Sequence, residues 1–192
     1  MTELARRRRG MMAQGESYLT GYTTVGNPTI VNGIMTPSAD SWITSPSFDP
    51  ADKPWKLVFK IKRKSVSSGE WQNIISSNAV MLQADYLNVK LYLRSKNSSS
   101  FDICNGSKSR EIREDDSVKW VKVEFDGTKY YYGTSNDGET YSNVTVASSL
   151  FVKNGIIRFG QKVSNTSAVS AEYDLNNTAI WIDGKLWWKA IA

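Results

Sequence analysis

The sequence predicts an all-β fold, a two-sheet antiparallel sandwich over residues 16–192 with a short basic arm at residues 1–15. Three observations carry that expectation. Apolar and polar residues alternate in segments such as 55–62 and 87–94, the period of a half-buried strand. Asn-Gly or Asp-Gly stands at 32–33, 105–106, 126–127, 137–138, 154–155 and 183–184, dipeptides that accept positive φ and favour hairpin turns. After residue 15 no segment combines a helical period with caps, and Trp, Tyr and Phe make up 11% of the chain. With 192 residues, 40% of them hydrophobic, there is material for one domain with a real core.

The arm holds the basic character. Arg6, Arg7, Arg8 and Arg9 with Glu3 give residues 1–15 a net charge of +3, leaving only +2 for the rest. The residues that follow, Gly10-Met11-Met12-Ala13-Gln14-Gly15, are too few and too polar for the apolar stretch of a signal peptide, so no secretion is expected. Residues 3–14 have the length of a short helix, which Gly10 weakens. Two readings of the arm stand side by side: an anchor or docking peptide, and a solvated terminus.

The elements follow in order. Trp55, Leu57, Phe59 and Ile61 point to one face of a strand, with Lys56, Val58, Lys60 and Lys62 on the other. Leu87, Val89, Leu91 and Leu93 repeat the pattern, and Lys96-Asn97-Ser98-Ser99-Ser100 reads as a loop tip. With Asp126-Gly127 as a two-residue turn, Val121, Val123, Phe125, Tyr130 and Tyr132 face the core. Trp120, Lys122, Glu124, Lys129 and Tyr131 face outward, and Glu124 pairs across the strands with Lys129. A turn at Asp183-Gly184 places Ile180, Ile182, Lys185 and Trp187 on one face and Ala179, Trp181, Leu186 and Trp188 on the other. Both faces are apolar, so both need cover, from the N-terminal segment of the same chain or from another subunit.

Composition removes several chemistries. Histidine is absent, which excludes Ser-His-Asp and Cys-His catalysis and histidine-ligated metals. The single cysteine, Cys104, excludes an intrachain disulfide and a cysteine zinc cluster. No apolar run reaches the length of a membrane-spanning helix, and no phosphate-cradling motif occurs. A nearly neutral body without a groove-reading helix argues against specific nucleic-acid binding.

The C-terminal half resembles the concanavalin A-like lectin/glucanase group, especially its laminin-G-like branch. The resemblance rests on Trp120-Val121-Lys122-Val123-Glu124-Phe125-Asp126-Gly127-Thr128, then Gly155-Ile156-Ile157-Arg158-Phe159-Gly160 and Ala179-Ile180-Trp181-Ile182-Asp183-Gly184-Lys185. Against that group's W-x-x-V-x-x-x-x-D-G strand, the interval between Val123 and Asp126 is two residues shorter. The resemblance implies a jelly-roll topology. The chain is also similar in style to small structural proteins of tailed bacteriophages, through its basic, methionine-containing start and its closing Trp181-Ile182-Asp183-Gly184. That implies a virion component of tail, fibre or head decoration, a homo-oligomer among other virion proteins, made in the host cytoplasm. Arg6, Arg7, Arg8 and Arg9 are then the anchor, and Trp181 and Trp188 the assembly contacts.

Glucanases of the group align carboxylates as E-x-D-x-x-E on one strand, where alternate residues converge on one substrate. The nearest match singled out is Glu111-Ile112-Arg113-Glu114-Asp115-Asp116, with Arg113 where the middle acid belongs, so no hydrolase is expected. Sugar binding is the alternative function, as a host-surface adhesin. Aromatic faces meet the apolar faces of sugar rings; Trp120 and Tyr131 are the candidates, with Trp71 beside Gln72 and Asn73. No metal or cofactor is expected. Relatives that bind calcium beside the sugar point to Asp174, Asn176 and Asn177, which read equally as turn formers.

Overall fold

The computed structural model describes residues 18–50, 53–64, 72–77, 80–84, 89–93, 102–104, 117–146, 155–161 and 171–192. The arm with Arg6, Arg7, Arg8 and Arg9, Trp71, Leu87 and the acidic run 111–116 lie outside them. Among the described residues there are sixteen strands and no helix. The strands are β1 (Leu19–Thr20), β2 (Thr23–Val25), β3 (Thr29–Val31), β4 (Ile34–Thr36), β5 (Trp42–Phe48), β6 (Trp55–Arg63), β7 (Gln72–Ser76) and β8 (Val80–Ala84). The others are β9 (Val89–Leu93), β10 (Asp102–Cys104), β11 (Val118–Phe125), β12 (Tyr130–Ser135), β13 (Ser142–Val146), β14 (Gly155–Phe159), β15 (Ala171–Ile182) and β16 (Lys185–Lys189).

They form two sheets. The larger runs β1-β16-β15-β6-β11-β12-β13, with β4 also on β15 and β3 on β4; the smaller runs β10-β9-β8-β7-β14-β5-β2. Pairing is antiparallel except between β1 and β16. Leu57, Phe59, Val121, Val123 and Tyr132 from the larger sheet meet Ile43, Ile74, Leu82 and Phe159 from the smaller in one core. Phe59 and Phe159 meet edge to face across the sheets at 5.9 Å. The Tyr173 hydroxyl crosses the same gap and donates to the Ile74 carbonyl at 2.7 Å. Burial pushes that phenol's pKa far up, so it stays a neutral donor.

The alternation at residues 55–62 holds in the structure: Trp55, Leu57, Phe59 and Ile61 are buried, and Lys56, Val58, Lys60 and Lys62 are partly exposed. Two turns follow the dipeptide rule. Asn32-Gly33 and Asp183-Gly184 both take positive φ, with Val31 opposite Ile34 and Ile182 opposite Lys185.

The β11–β12 hairpin departs from its expected register. Phe125 faces Tyr130 and Glu124 faces Tyr131, so the loop spans residues 126–129 rather than two residues. Asp126 explains this, because its Oδ1 accepts the backbone N–H groups of Thr128 and Lys129, both at 2.7 Å, and closes a wider turn. The register is displaced by two residues, an even number, so every side chain keeps its expected face. The Glu124–Lys129 pair does not form; Glu124 instead binds Lys122 at 2.7 Å.

The β15–β16 hairpin changes faces. The register shifts between Ile180 and Trp181, with Trp187 the extra residue on β16, so Trp181 faces Leu186 but Ile180 faces Trp188. The extra residue brings both Trp187 and Trp188 inward: Trp187 meets Phe48 at 5.8 Å and Trp188 stacks on Phe159 at 6.2 Å. The N-terminal segment supplies cover: β1 runs beside β16, and Trp188 Nε1 donates to the Gly21 carbonyl at 2.6 Å.

Candidate functional site

The outer face of the larger sheet carries the candidate site, and its layout follows from register. One row across the strands reads Tyr131, Glu124, Lys56, Trp181, Leu186. Further along lies a row of Ser135, Trp120, Lys60, Asp174, Ile34, and beyond it Val118, Lys62, Glu172. Trp120 and Tyr131 therefore share the expected face but stand about 14 Å apart, on neighbouring strands four residues out of step. They do not converge on one ligand. Each is also engaged locally. Tyr131 donates its hydroxyl to Asp126 Oδ2 at 2.9 Å, and the Thr128 and Lys129 N–H bonds with this one hold the Asp126 carboxyl below its usual pKa.

Trp120 is a wall rather than an open platform. The loop after β12 folds back over it, tied by Ser135 Oγ, which accepts from Gly138 N at 2.9 Å and donates to Asp137 Oδ1 at 2.6 Å. Gly138 then packs so closely that a Cβ there would lie 2.8 Å from the indole Cε2. The Lys60 ammonium stands 5.5 Å from the Trp120 ring centroid. Two similar pairs share the face: Lys56 with Trp181 at 4.8 Å, and Lys122 with Tyr141 at 5.0 Å.

Beside the Lys60–Trp120 pair lies a groove of about 140 Å³, lined by Ile34, Lys60, Lys62, Val118, Glu172 and Asp174 with Ile61 beneath. Its floor is apolar, and Val118 is 45% exposed within it. Its rim is ionic: Lys60 lies 3.8 Å from Asp174, and Lys64 lies 2.7 Å from Glu172. The site offers apolar surface, carboxylate acceptors and ammonium donors within one small depression.

Calcium does not fit the expected residues. Both Asp174 oxygens are engaged: Oδ1 accepts Asn176 N at 3.1 Å, and Oδ2 accepts Asn177 Nδ2 at 2.7 Å. These bonds hold a bulge at residues 175–178, where β15 slips against β6. Asn176 is turned to the Asn32 carbonyl, against a Gly33 so close that a Cβ would overlap its amide. The Lys60 ammonium already supplies the cation beside Asp174.

Of the remaining candidates, Trp181 is on the outer face, beside Lys56. Trp188 is corrected: it is 0% exposed, enclosed by its own chain, and offers no surface for assembly. Sequence reasoning passed over Glu172 and weighed Asp174 only as a calcium ligand or turn former. Their signal is Glu172-Tyr173-Asp174, an E-x-D on one strand, with Asn177 where the pattern's second glutamate would stand.

No protein-family model and no curated protein matches the sequence. Solved structures share the fold. The CBM2 module of the evolved Dit protein of Lactobacillus casei BL23 phage J-1 superposes with TM-score 0.60 at 10% identity, covering 90% of this chain and 84% of the module. Tailspike protein 2 of bacteriophage CBA120, in its enzymatically active domain, gives 0.63 at 8% identity, over 88% of this chain and 30% of that one. A botulinum neurotoxin type C structure, whose cell entry depends on two ganglioside molecules, gives 0.62 at 12% identity over 85% of this chain. This chain spans under half the length of the neurotoxin chains it matches. The chain thus has the β-sandwich fold found in phage and toxin binding domains.

Proposed function

We propose that this chain is a non-enzymatic, glycan-contacting structural protein of a tailed-phage particle, with a concanavalin A-like jelly-roll body. The observation that carries the reading is the groove between Val118, Lys60, Lys62 and Glu172 beside Trp120. A sugar ring presents an apolar C–H face and a rim of hydroxyls. Val118 and Ile34 match the first; Glu172 and the lysines match the second. The size agreement with the phage Dit module, which nearly fills both chains, supports a domain of this kind acting as one binding unit. The arm, with Arg6, Arg7, Arg8 and Arg9, is the attachment segment in this reading, and the particle holds several copies.

Binding rather than cleavage follows from the carboxylates. Retaining glycosidases need one carboxyl as acid and another as nucleophile. Here Glu172 and Asp174 are each ion-paired with a lysine, and Asn177, an amide, cannot transfer the proton.

The test uses the full chain against a panel of bacterial surface polysaccharides. Saturable binding, competed by free sugar, is expected. Val118→Asn and Glu172→Gln should each weaken it about tenfold, a loss of about 1.4 kcal/mol, with unchanged thermal stability because both side chains stand at the surface. Absence of binding across the panel, or binding indifferent to both substitutions, would refute the assignment.

A further inference from the structure

Four large hydrophobic side chains are exposed among the described residues, and two of them, Val31 and Val118, flank the groove from opposite sides. Val118 lines it directly. Val31, at 60% the most exposed of the four, reaches it through register. Val31 stands opposite Ile34, Ile34 opposite Asp174, Asp174 opposite Lys60, and Lys60 opposite Trp120. Residues opposed across antiparallel strands share a face, so this row continues the groove past Ile34 to Val31 at its outer end. A lone exposed valine is ordinary. One set against the apolar lining of a groove extends that lining.

The β3–β4 hairpin that carries Val31 is held from both sides. The β15 bulge grips its tip: Leu175 N donates to the Gly33 carbonyl at 2.8 Å, and Asn176 Nδ2 donates to the Asn32 carbonyl at 3.4 Å. On the inward side Ile30 packs on the core. Val31 is thereby presented at a fixed place. From Val31 to Trp120 the row crosses four strand spacings, about 19 Å. Two apolar banks result, Val31 with Ile34 and Val118 with the Trp120 wall. Between them runs the polar strip of Lys60, Lys62, Glu172 and Asp174. One sugar ring is much shorter than that span. An occupant in contact with both banks is a chain of several rings, apolar where it meets the valines and hydroxylated over the strip between.

We infer that Val31 is an outer subsite of the groove, so that the ligand is an internal stretch of a polysaccharide lying across the strands rather than a single terminal sugar. This rests on the glycan-binding reading above and deepens it. The C–H faces of separate rings meet Val31 at one end and Val118 at the other. Hydroxyls of the rings between them meet the charged groups of the strip, where hydrogen bonds are charge-assisted.

The experiment takes the polysaccharide that binds best in the panel above, cuts it by partial acid hydrolysis and separates fragments of two, four and six sugar residues. Titration calorimetry measures each fragment against the full chain. Affinity is expected to rise about tenfold from two residues to four and to change little from four to six. Val31→Asn should weaken the four-residue fragment about fivefold, from the apolar contact a valine supplies, and leave the two-residue fragment unchanged. Val118→Asn should weaken both. Val31→Tyr, which enlarges the exposed apolar surface and suits a strand, should tighten the four-residue fragment. If affinity is already level at two residues, or if Val31→Asn and Val31→Tyr both bind every fragment as the parent does, the inference falls while the groove reading stands on Val118. If Val31→Asn turns an oligomer into a monomer in sedimentation velocity and leaves fragment binding intact, Val31 is a subunit contact and the inference falls. If no polysaccharide of the panel binds, the underlying reading fails and takes the inference with it.

Discussion

Trp181 and Trp188 lie seven residues apart in one hairpin, and strict alternation assigns them to the same face. The bulge at Trp187, opposite the Ile180–Trp181 step, separates them, and alanine substitution reads that separation as energy. Trp188 is fully buried, stacked on Phe159 and hydrogen-bonded through Nε1 to the Gly21 carbonyl. Truncating a buried tryptophan costs about 3–5 kcal/mol through lost transfer energy and the cavity left behind. Loss of the indole donor, which strands the Gly21 carbonyl, places Trp188→Ala toward the upper end of that range. Trp181 is partly exposed, and its specific partner is the Lys56 ammonium at 4.8 Å, a contact worth about 0.5–1 kcal/mol. Trp181→Ala should therefore cost no more than about 1.5 kcal/mol. Urea unfolding followed by circular dichroism measures both. With a slope of about 2 kcal/mol per molar, Trp188→Ala lowers the midpoint by about 2 M and Trp181→Ala by well under 1 M. Equal midpoint shifts would refute the bulge and return both rings to one face. A small shift for Trp188→Ala would reopen an assembly role for that side chain.

Two further predictions concern the loop that walls the site. Gly138 has φ of 84° and sits against Trp120, so Gly138→Ala combines backbone strain with a clash; a loss of at least about 1 kcal/mol is expected, with a changed tryptophan emission maximum, and a silent substitution would detach the loop from the indole. Asp137 is held at a pKa of about 2, below its ordinary 3.8, first by the Ser135 hydroxyl and then by the Glu139 and Thr140 N–H groups. A depressed carboxyl stabilises the fold fully above its unfolded pKa and loses that contribution as pH falls through the folded value. Asp137→Asn should therefore flatten the decline of thermal midpoint between pH about 4 and about 2, and an unchanged acid limb would contradict the bonding.

What the sequence makes legible here is governed by periodicity. The inward face of β6 and the faces of the β11–β12 hairpin can be read from alternation, and the latter survive a wrong loop length because the slip is even. Bulges defeat the same reasoning. Nothing local distinguishes Trp187-Trp188 from an ordinary alternating pair; the extra residue is specified by the fit of two indoles against Phe48 and Phe159 from the opposite sheet. Arg63 shows a related limit. Alternation turns it inward, its charge argues outward, and the structure buries it with a guanidinium nitrogen donating to Gln72 Oε1 at 3.3 Å.

The candidate site was half legible for a different reason. Trp120, Lys60 and Lys62 are on one face by period alone, but the groove needs β15 beside β6, a pairing between segments more than a hundred residues apart. Once that pairing is made, Lys60 and Lys62 stand with Glu172 and Asp174 around one depression. Exposed ion pairs contribute little stability, with a median near 0–1 kcal/mol. Under the proposed glycan-binding reading, substituting Lys60 or Lys62 at the groove should alter binding far more than stability, whereas substituting the neighbouring inward residues Phe59 or Ile61 should do the reverse.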